Sequence, residues 1–190
     1  MALKYIKVEL DTSHWESAIK RAENLKIFTN SHRKKEANEV GCLGEVVLEE
    51  FFRKHCIKYK DDRDKTTHDY LINNLYTLDV KTKDRTVFPK KHFDNSVPLY
   101  NHDHQRPDYY YFVSLKRDTS NESKKIDRFT HACLLGFMDL QSLEKFGHHW
   151  KKGETDPSNG TQFWTDCLNV KMQDLYDNKN MIKVFKGEEL

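Results

Sequence analysis

The clearest pattern in the chain is the stretch Asp69-Tyr70-Leu71-Ile72-Asn73-Asn74-Leu75-Tyr76-Thr77-Leu78-Asp79-Val80-Lys81-Thr82-Lys83. Apolar and aromatic residues flank the Asn-Asn pair, which predicts two strands, at 69–72 and 75–83, joined by a turn. Because side chains alternate between the faces of a strand, Asp79 and Lys81 share one face and Leu78 and Val80 share the other. The stretch therefore predicts a rigid strand that holds a carboxylate beside an ammonium group.

Further elements are predicted on both sides of this hairpin. The other strands are expected at 3–10, 108–115, 129–137, near 163 and at 168–172. The helices are expected at 14–28, from 39 onward and at 138–146. Residues 58–67 and 84–107 are expected to form loops. This order predicts an α/β (α+β) fold in which helices flank a central mixed β-sheet.

The length of 190 residues predicts a single domain. Its core is expected at about 39–147, with an N-terminal helical extension at 1–38 and a C-terminal extension at 148–190. The net charge is only +2, which is compatible with nucleic-acid binding but does not require it. Four scattered cysteines are expected to be free thiols, and the absence of a signal-peptide or membrane-spanning pattern predicts an intracellular protein without a membrane partner.

The acidic residues near the hairpin suit phosphodiester hydrolysis. Mg²⁺ prefers hard oxygen ligands, commonly one or two carboxylates. Asp79 and Asp69 can supply carboxylates, and the carbonyl of Val80 is a third candidate ligand. Lys81 would then lie beside the attacking water, where it could orient the water or stabilise developing charge. These residues predict a site that uses Mg²⁺ or Mn²⁺.

The run His68-Asp69, nine intervening residues and Asp79-Val80-Lys81 resembles the PD-(D/E)XK motif of the restriction-endonuclease-like nucleases. The resemblance implies a restriction-endonuclease-like core and a metal-dependent endonuclease that acts on DNA. In that family both acids bind the metal and the lysine assists the attacking water. The family's acidic residue on the first core helix corresponds to Glu45, which follows Gly44. The catalytic residues implied are Glu45, Asp69, Asp79 and Lys81, with Glu45, Asp69, Asp79 and Val80 as metal ligands.

Two features of the motif decide how it can be tested. D/E-x-K occurs three times, but the copies at 122–124 and 177–179 lack a strand pattern and an upstream acid. A regular two-residue turn would place Asp69 on the face opposite to Asp79. An odd-length loop or a bulge near Asp69 is therefore predicted, and a regular two-residue hairpin would count against the resemblance.

The residues around the motif are candidates for contacts with the DNA backbone. These candidates are Lys83, Arg85, Lys90, Lys91, Gln105 and Arg106. A homodimer would suit cleavage of both strands. Two alternatives stay open: a non-catalytic protein of the same fold that binds nucleic acid or serves in an assembly, and a nuclease specialised for RNA or branched DNA.

Overall fold

The computed structural model describes residues 4–23, 25, 35–100, 102–121, 123 and 125–187, with only the backbone described at 35–37. The strands are β1 (Ile6–Glu9), β2 (Tyr59–Asp61), β3 (Tyr70–Ile72), β4 (Tyr76–Arg85), β5 (Asp94–Pro98), β6 (Tyr109–Arg117), β7 (Phe129–Asp139), β8 (His148–Trp150) and β9 (Cys167–Lys171). The helices are α1 (Thr12–Glu23), α2 (Lys35–Lys54), α3 (Leu140–Phe146) and α4 (Asn178–Phe185).

A mixed sheet of six strands forms the centre of the fold. Its order is β1-β7-β6-β4-β3-β2, and a smaller antiparallel sheet has the order β5-β9-β8. Only the β4–β6 pair is parallel among the described strands of the large sheet. The expected mixed α+β fold is thus confirmed.

Alternating side chains divide the large sheet between two cores. On β6, Tyr111 and Val113 face the first core together with apolar residues of α1, α2 and α4. Tyr110 and Phe112 face the second core, which the smaller sheet and α3 complete. On β4, Leu78 belongs to the first core, so the odd-numbered residues from 79 to 85 face the side of the smaller sheet.

Gly44 on α2 allows this helix to approach β4 closely. A Cβ atom at Gly44 would lie 2.0 Å from the Thr82 hydroxyl oxygen. The same construction at Gly41 meets nothing within 4 Å. Close packing against the sheet therefore explains the glycine at Gly44 but not the one at Gly41.

The turn between β3 and β4 has the odd length that the sequence required. Ile72 pairs with Tyr76, which leaves a loop of three residues, Asn73 to Leu75. Asn73 and Asn74 both have positive φ angles, 52° and 57°, a conformation that asparagine tolerates better than most residues. The regular two-residue hairpin, which would have opposed the resemblance, is not formed.

Several predicted boundaries were wrong. The region expected to be a loop at 58–67 contains β2, and the irregular region at 84–107 contains β5. Both strands are short and polar, so they lack the apolar alternation that marks a strand in sequence. β8 and α4 were also missed, and the end predicted for α1, at 28, lies outside the described residues.

Both ends of the chain contribute to the large sheet and its core. β1, from the N-terminal segment, pairs with β7 at the sheet edge. Met181 and Phe185 of α4, from the C-terminal segment, are fully buried in the first core. Within the described residues, no helix is both long and apolar enough to cross a membrane. The four cysteines are free thiols, and only Cys56 is exposed.

Candidate active site

Asp79 and Lys81 lie side by side on β4, as the alternation predicted. The Lys81 Nζ atom is 2.6 Å from Oδ2 of Asp79, and the Asp79 side chain is only 2% exposed. Gln105 donates a hydrogen bond of 2.6 Å to the other oxygen, Oδ1. Oδ2 is buried, and its contact within the described residues is the charged one with the ammonium of Lys81. An oxygen in that state can serve as a ligand for a cation.

Asp69 reaches the same place from the residue just before β3. Its backbone N–H donates to the carbonyl of Leu78 (3.0 Å), and its carboxylate accepts the N–H of Val80 (2.7 Å). The pKa of Asp69 is raised well above its usual value, first by burial and then by the negative charges of Asp79 and Glu45. Two acidic side chains are therefore close enough to repel each other where little water screens them.

The charge of Lys81 reflects the same pair of acids. Burial lowers the pKa of Lys81, but the charges of Asp79 and Asp69 outweigh burial and raise it overall. Lys81 is therefore an ammonium at neutral pH. It can donate hydrogen bonds and stabilise negative charge, but it cannot accept a proton.

Glu45 lies on α2 beside this group, but Arg63 holds it. Arg63 Nη1 donates to Glu45 Oε2 at 2.7 Å, and Arg21 Nη1 lies 3.7 Å from the same oxygen. Burial raises the pKa of Glu45, and the charges of both arginines oppose that rise. Arg63 was not singled out in the sequence, because nothing distinguishes it from the other charged residues of 58–67.

The predicted ligands fit a divalent cation in part. The buried carboxylate of Asp79 and the half-buried carboxylate of Asp69 share a single ammonium, so a metal ion would supply the positive charge that the pair lacks. Within the described residues, no three acidic, histidine or cysteine side chains are already grouped to hold a metal ion. Asp69 and Asp79 are thus the two acids placed to bind a cation, and Val80 follows Asp79 and donates its N–H to Asp69. Glu45 could join them only after its contact with Arg63 breaks.

The predicted nucleic-acid residues are distributed unevenly. Lys83 and Arg85 continue along the same face of β4 as Lys81, and Gln105 contacts Asp79 directly. Arg106 is turned to α3, where it pairs with Glu144 at 2.8 Å.

Lys90 and Lys91 lie on an exposed turn before β5. Among the described residues they form no hydrogen bond or ion pair with the acids of the site. The structure thus brings Gln105 to the site, places Lys83 and Arg85 farther along the same strand face, and leaves Arg106, Lys90 and Lys91 without contact to the acids in the described part.

The second described copy of the short motif, at 177–179, has a different role. Asp177 caps α4 by accepting the N–H of Asn180 at 3.0 Å, and Lys179 is exposed. In the copy at 122–124, residues 122 and 124 lie outside the described part. A comparison of the sequence with protein-family models and with curated proteins finds no match.

Proposed function

We propose that this protein is a nuclease that hydrolyses phosphodiester bonds of DNA with the help of Mg²⁺ or Mn²⁺. The observation that carries the proposal is the position of Asp69, just before β3, beside the pair that Asp79 and Lys81 form on β4. We propose further that α2, β3, β4, β6 and β7 form a restriction-endonuclease-like core.

In this proposal Asp69 and Asp79, with the carbonyl of Val80, hold the metal ion. A bound divalent ion would neutralise the phosphate and lower the pKa of a water molecule. Gln105 fixes the orientation of Asp79 through Oδ1, while Oδ2 faces the ammonium of Lys81. The N–H of Val80 fixes Asp69 in the same way.

Lys81 serves the attacking water as a donor. Its raised pKa keeps the ammonium charged, so it orients the water and stabilises the negative charge that develops on the phosphate oxygens. It does not act as the base that removes the proton from water. Glu45 would help to place the metal ion or the water once Arg63 leaves it and binds another anion. A phosphate of the substrate is suited to bind Arg63 in this way.

The test compares Lys81→Ala with Lys179→Ala, which removes the lysine of the motif copy on α4. We expect Lys81→Ala to reduce cleavage of plasmid DNA by at least about 100-fold, because one preorganised charged donor at the reacting group contributes about 3 kcal/mol. Mg²⁺ binding, measured by calorimetry, should persist in both variants. Wild-type cleavage by Lys81→Ala would refute the role given to this lysine.

Binding of DNA without cleavage by any folded form of the protein would favour the non-catalytic alternative. Cleavage confined to RNA or to branched DNA would favour the specialised nuclease. The same panel of substrates therefore separates all three hypotheses.

A further inference from the structure

A cavity apart from the candidate active site, called the second cavity below, lies between the distal part of β4 and the C-terminal segment. Its volume is about 450 Å³, within the range of small-molecule sites. Lys83, Arg85, Phe93, Asp94 and Asn169 are among its lining residues. The wall opposite β4 comes from β5, β9 and the turn at 156–161; of these, the sequence predicted only the strand at 168–172.

Two cations on the β4 side of the cavity lack acidic partners. Lys83 has neither a hydrogen bond nor an ion pair with any described residue. Arg85 donates to the hydroxyl of Ser114 (3.0 Å) and to a backbone carbonyl, but it has no carboxylate within 4 Å in the described part. Burial, and then the charge of Arg85, lower the pKa of Lys83 to about 8. Lys83 is therefore a donor that has no acceptor among the described residues, and Arg85 is a cation whose acceptors there are uncharged.

Unused acceptors face the same space. The carboxylate of Asp94 has no hydrogen bond or ion pair in the described part, and burial raises its pKa. Asn169 is only 5% exposed, and its buried Oδ1 atom has no hydrogen-bond partner among the described residues. Since Asp94 and Lys83 do not pair with each other, the cavity separates an unused donor from two unused acceptors.

This separation decides what kind of ligand fits. A phosphate offers only acceptors, so it would satisfy Lys83 but would face Asp94 and Asn169 unfavourably. A nucleobase carries acceptors and donors on different edges. Guanine presents the acceptors O6 and N7, which lysine and arginine contact most often. It also presents N–H groups that can donate hydrogen bonds to a carboxylate. Phe93, which already contacts the guanidinium of Arg85 at 5.1 Å, offers an aromatic surface beside them.

We propose that this cavity binds a guanine base of the substrate strand close to the bond that is cut. The inference rests on the proposed nuclease function and adds a base preference to it. Lys83 follows Lys81 by two residues on the same strand face, a distance of about 7 Å. At about 3.4 Å per nucleotide along a duplex strand, this places the base within about two nucleotides of the cleaved bond.

The first test measures binding without cleavage. The four deoxynucleoside 5′-monophosphates and inorganic phosphate are titrated into the full chain in EDTA. We expect dGMP to bind at least about tenfold more tightly than the others, since a good pair of hydrogen bonds to a base discriminates by about 1–3 kcal/mol. Equal affinity for all four nucleotides, or competition by inorganic phosphate at the same concentration as dGMP, would overturn the proposal.

Substitutions locate the binding. Asp94→Asn and Lys83→Met should each remove the preference for dGMP, while the exposed controls Asp174→Asn and Lys125→Met should keep it. In the wild-type protein, dGMP should also shift the side-chain amide resonance of Asn169, a readout that does not depend on whether a variant folds. An unmoved Asn169 resonance, or a preference that survives in both folded cavity variants, would overturn the assignment.

The second test maps cleavage in a library of random oligonucleotides with Mg²⁺. We expect guanine to be enriched at one fixed position within two nucleotides of the cut. Binding of dGMP without such enrichment would overturn the assignment to the substrate strand. Cleavage without any base preference would refute this inference and leave the nuclease standing. Binding of dGMP with no cleavage of any substrate would refute both the nuclease and the assignment of the cavity to its substrate strand.

Discussion

Replacing Gly44 by alanine tests how closely α2 packs against the strand that carries the site. The new Cβ would lie 2.0 Å from Oγ1 and 3.0 Å from Cγ2 of Thr82. Rotating the threonine would not remove the contact, because its own Cβ would lie 3.1 Å from the new Cβ, and the β-branched side chain is stiff at χ1. Overpacking of this kind costs about 1–3 kcal/mol, while alanine gains about 1 kcal/mol over glycine within a helix.

We therefore expect Gly44→Ala to lower the free energy of unfolding by up to about 2 kcal/mol in urea denaturation, allowing for the helix gain. Gly41→Ala is the matched control, since nothing lies within 4 Å of its Cβ position, and it should raise stability by about 0.5–1 kcal/mol. Combining Gly44→Ala with Thr82→Ala should recover about 1–2 kcal/mol. Equal stabilisation by both glycine substitutions, or no coupling with Thr82, would refute the close approach.

Three further outcomes follow from other contacts. Gln105→Ala removes the hydrogen bond to Asp79 and should weaken Mg²⁺ binding about tenfold in calorimetry, as expected when a residue that orients a ligand is lost; unchanged affinity would contradict this role. Tyr111→Phe leaves Oδ1 of Asn178 without its 2.5 Å donor and should cost about 1–3 kcal/mol in denaturant unfolding; a change under about 0.5 kcal/mol would refute it. The pKa of Lys83 falls from 10.5 to about 8 on folding. Between these two pH values the unfolded chain therefore binds more protons at this lysine than the folded chain does. The free energy of unfolding of the wild type, relative to Lys83→Met, should therefore rise between pH 8 and 10.5, and a flat or falling difference would contradict the shift.

The elements that could be predicted from sequence were those with a strong period. β4, β6 and β7 carry long apolar or alternating runs, and each lies where the pattern placed it. The requirement for an odd loop came from the alternation rule applied to Asp69 and Asp79, and the three-residue turn satisfies it. Local pattern was enough where strand geometry alone fixes which side chains share a face.

Other parts of the site depend on contacts between residues far apart in sequence. Arg63 meets Glu45 across 18 positions, and Gln105 meets Asp79 across 26. The second cavity joins β4 to strands from 94–98 and 167–171. Short polar strands such as β5 show no alternating pattern in the sequence. Pairing with β9 and packing on the second core stabilise this strand instead. Such contacts follow from the fold and not from any local motif.

The most direct test of the central claim is cleavage of supercoiled plasmid and of single-stranded and branched oligonucleotides, with Mg²⁺, Mn²⁺ or EDTA. Asp79→Asn, which keeps the shape of the side chain and removes its charge, is the control. We expect cleavage with either metal, no cleavage in EDTA, and a cleavage rate that is at least about 100-fold lower in Asp79→Asn. Cleavage that persists undiminished in EDTA or in Asp79→Asn, or no cleavage of any substrate by the folded protein, would contradict the central claim.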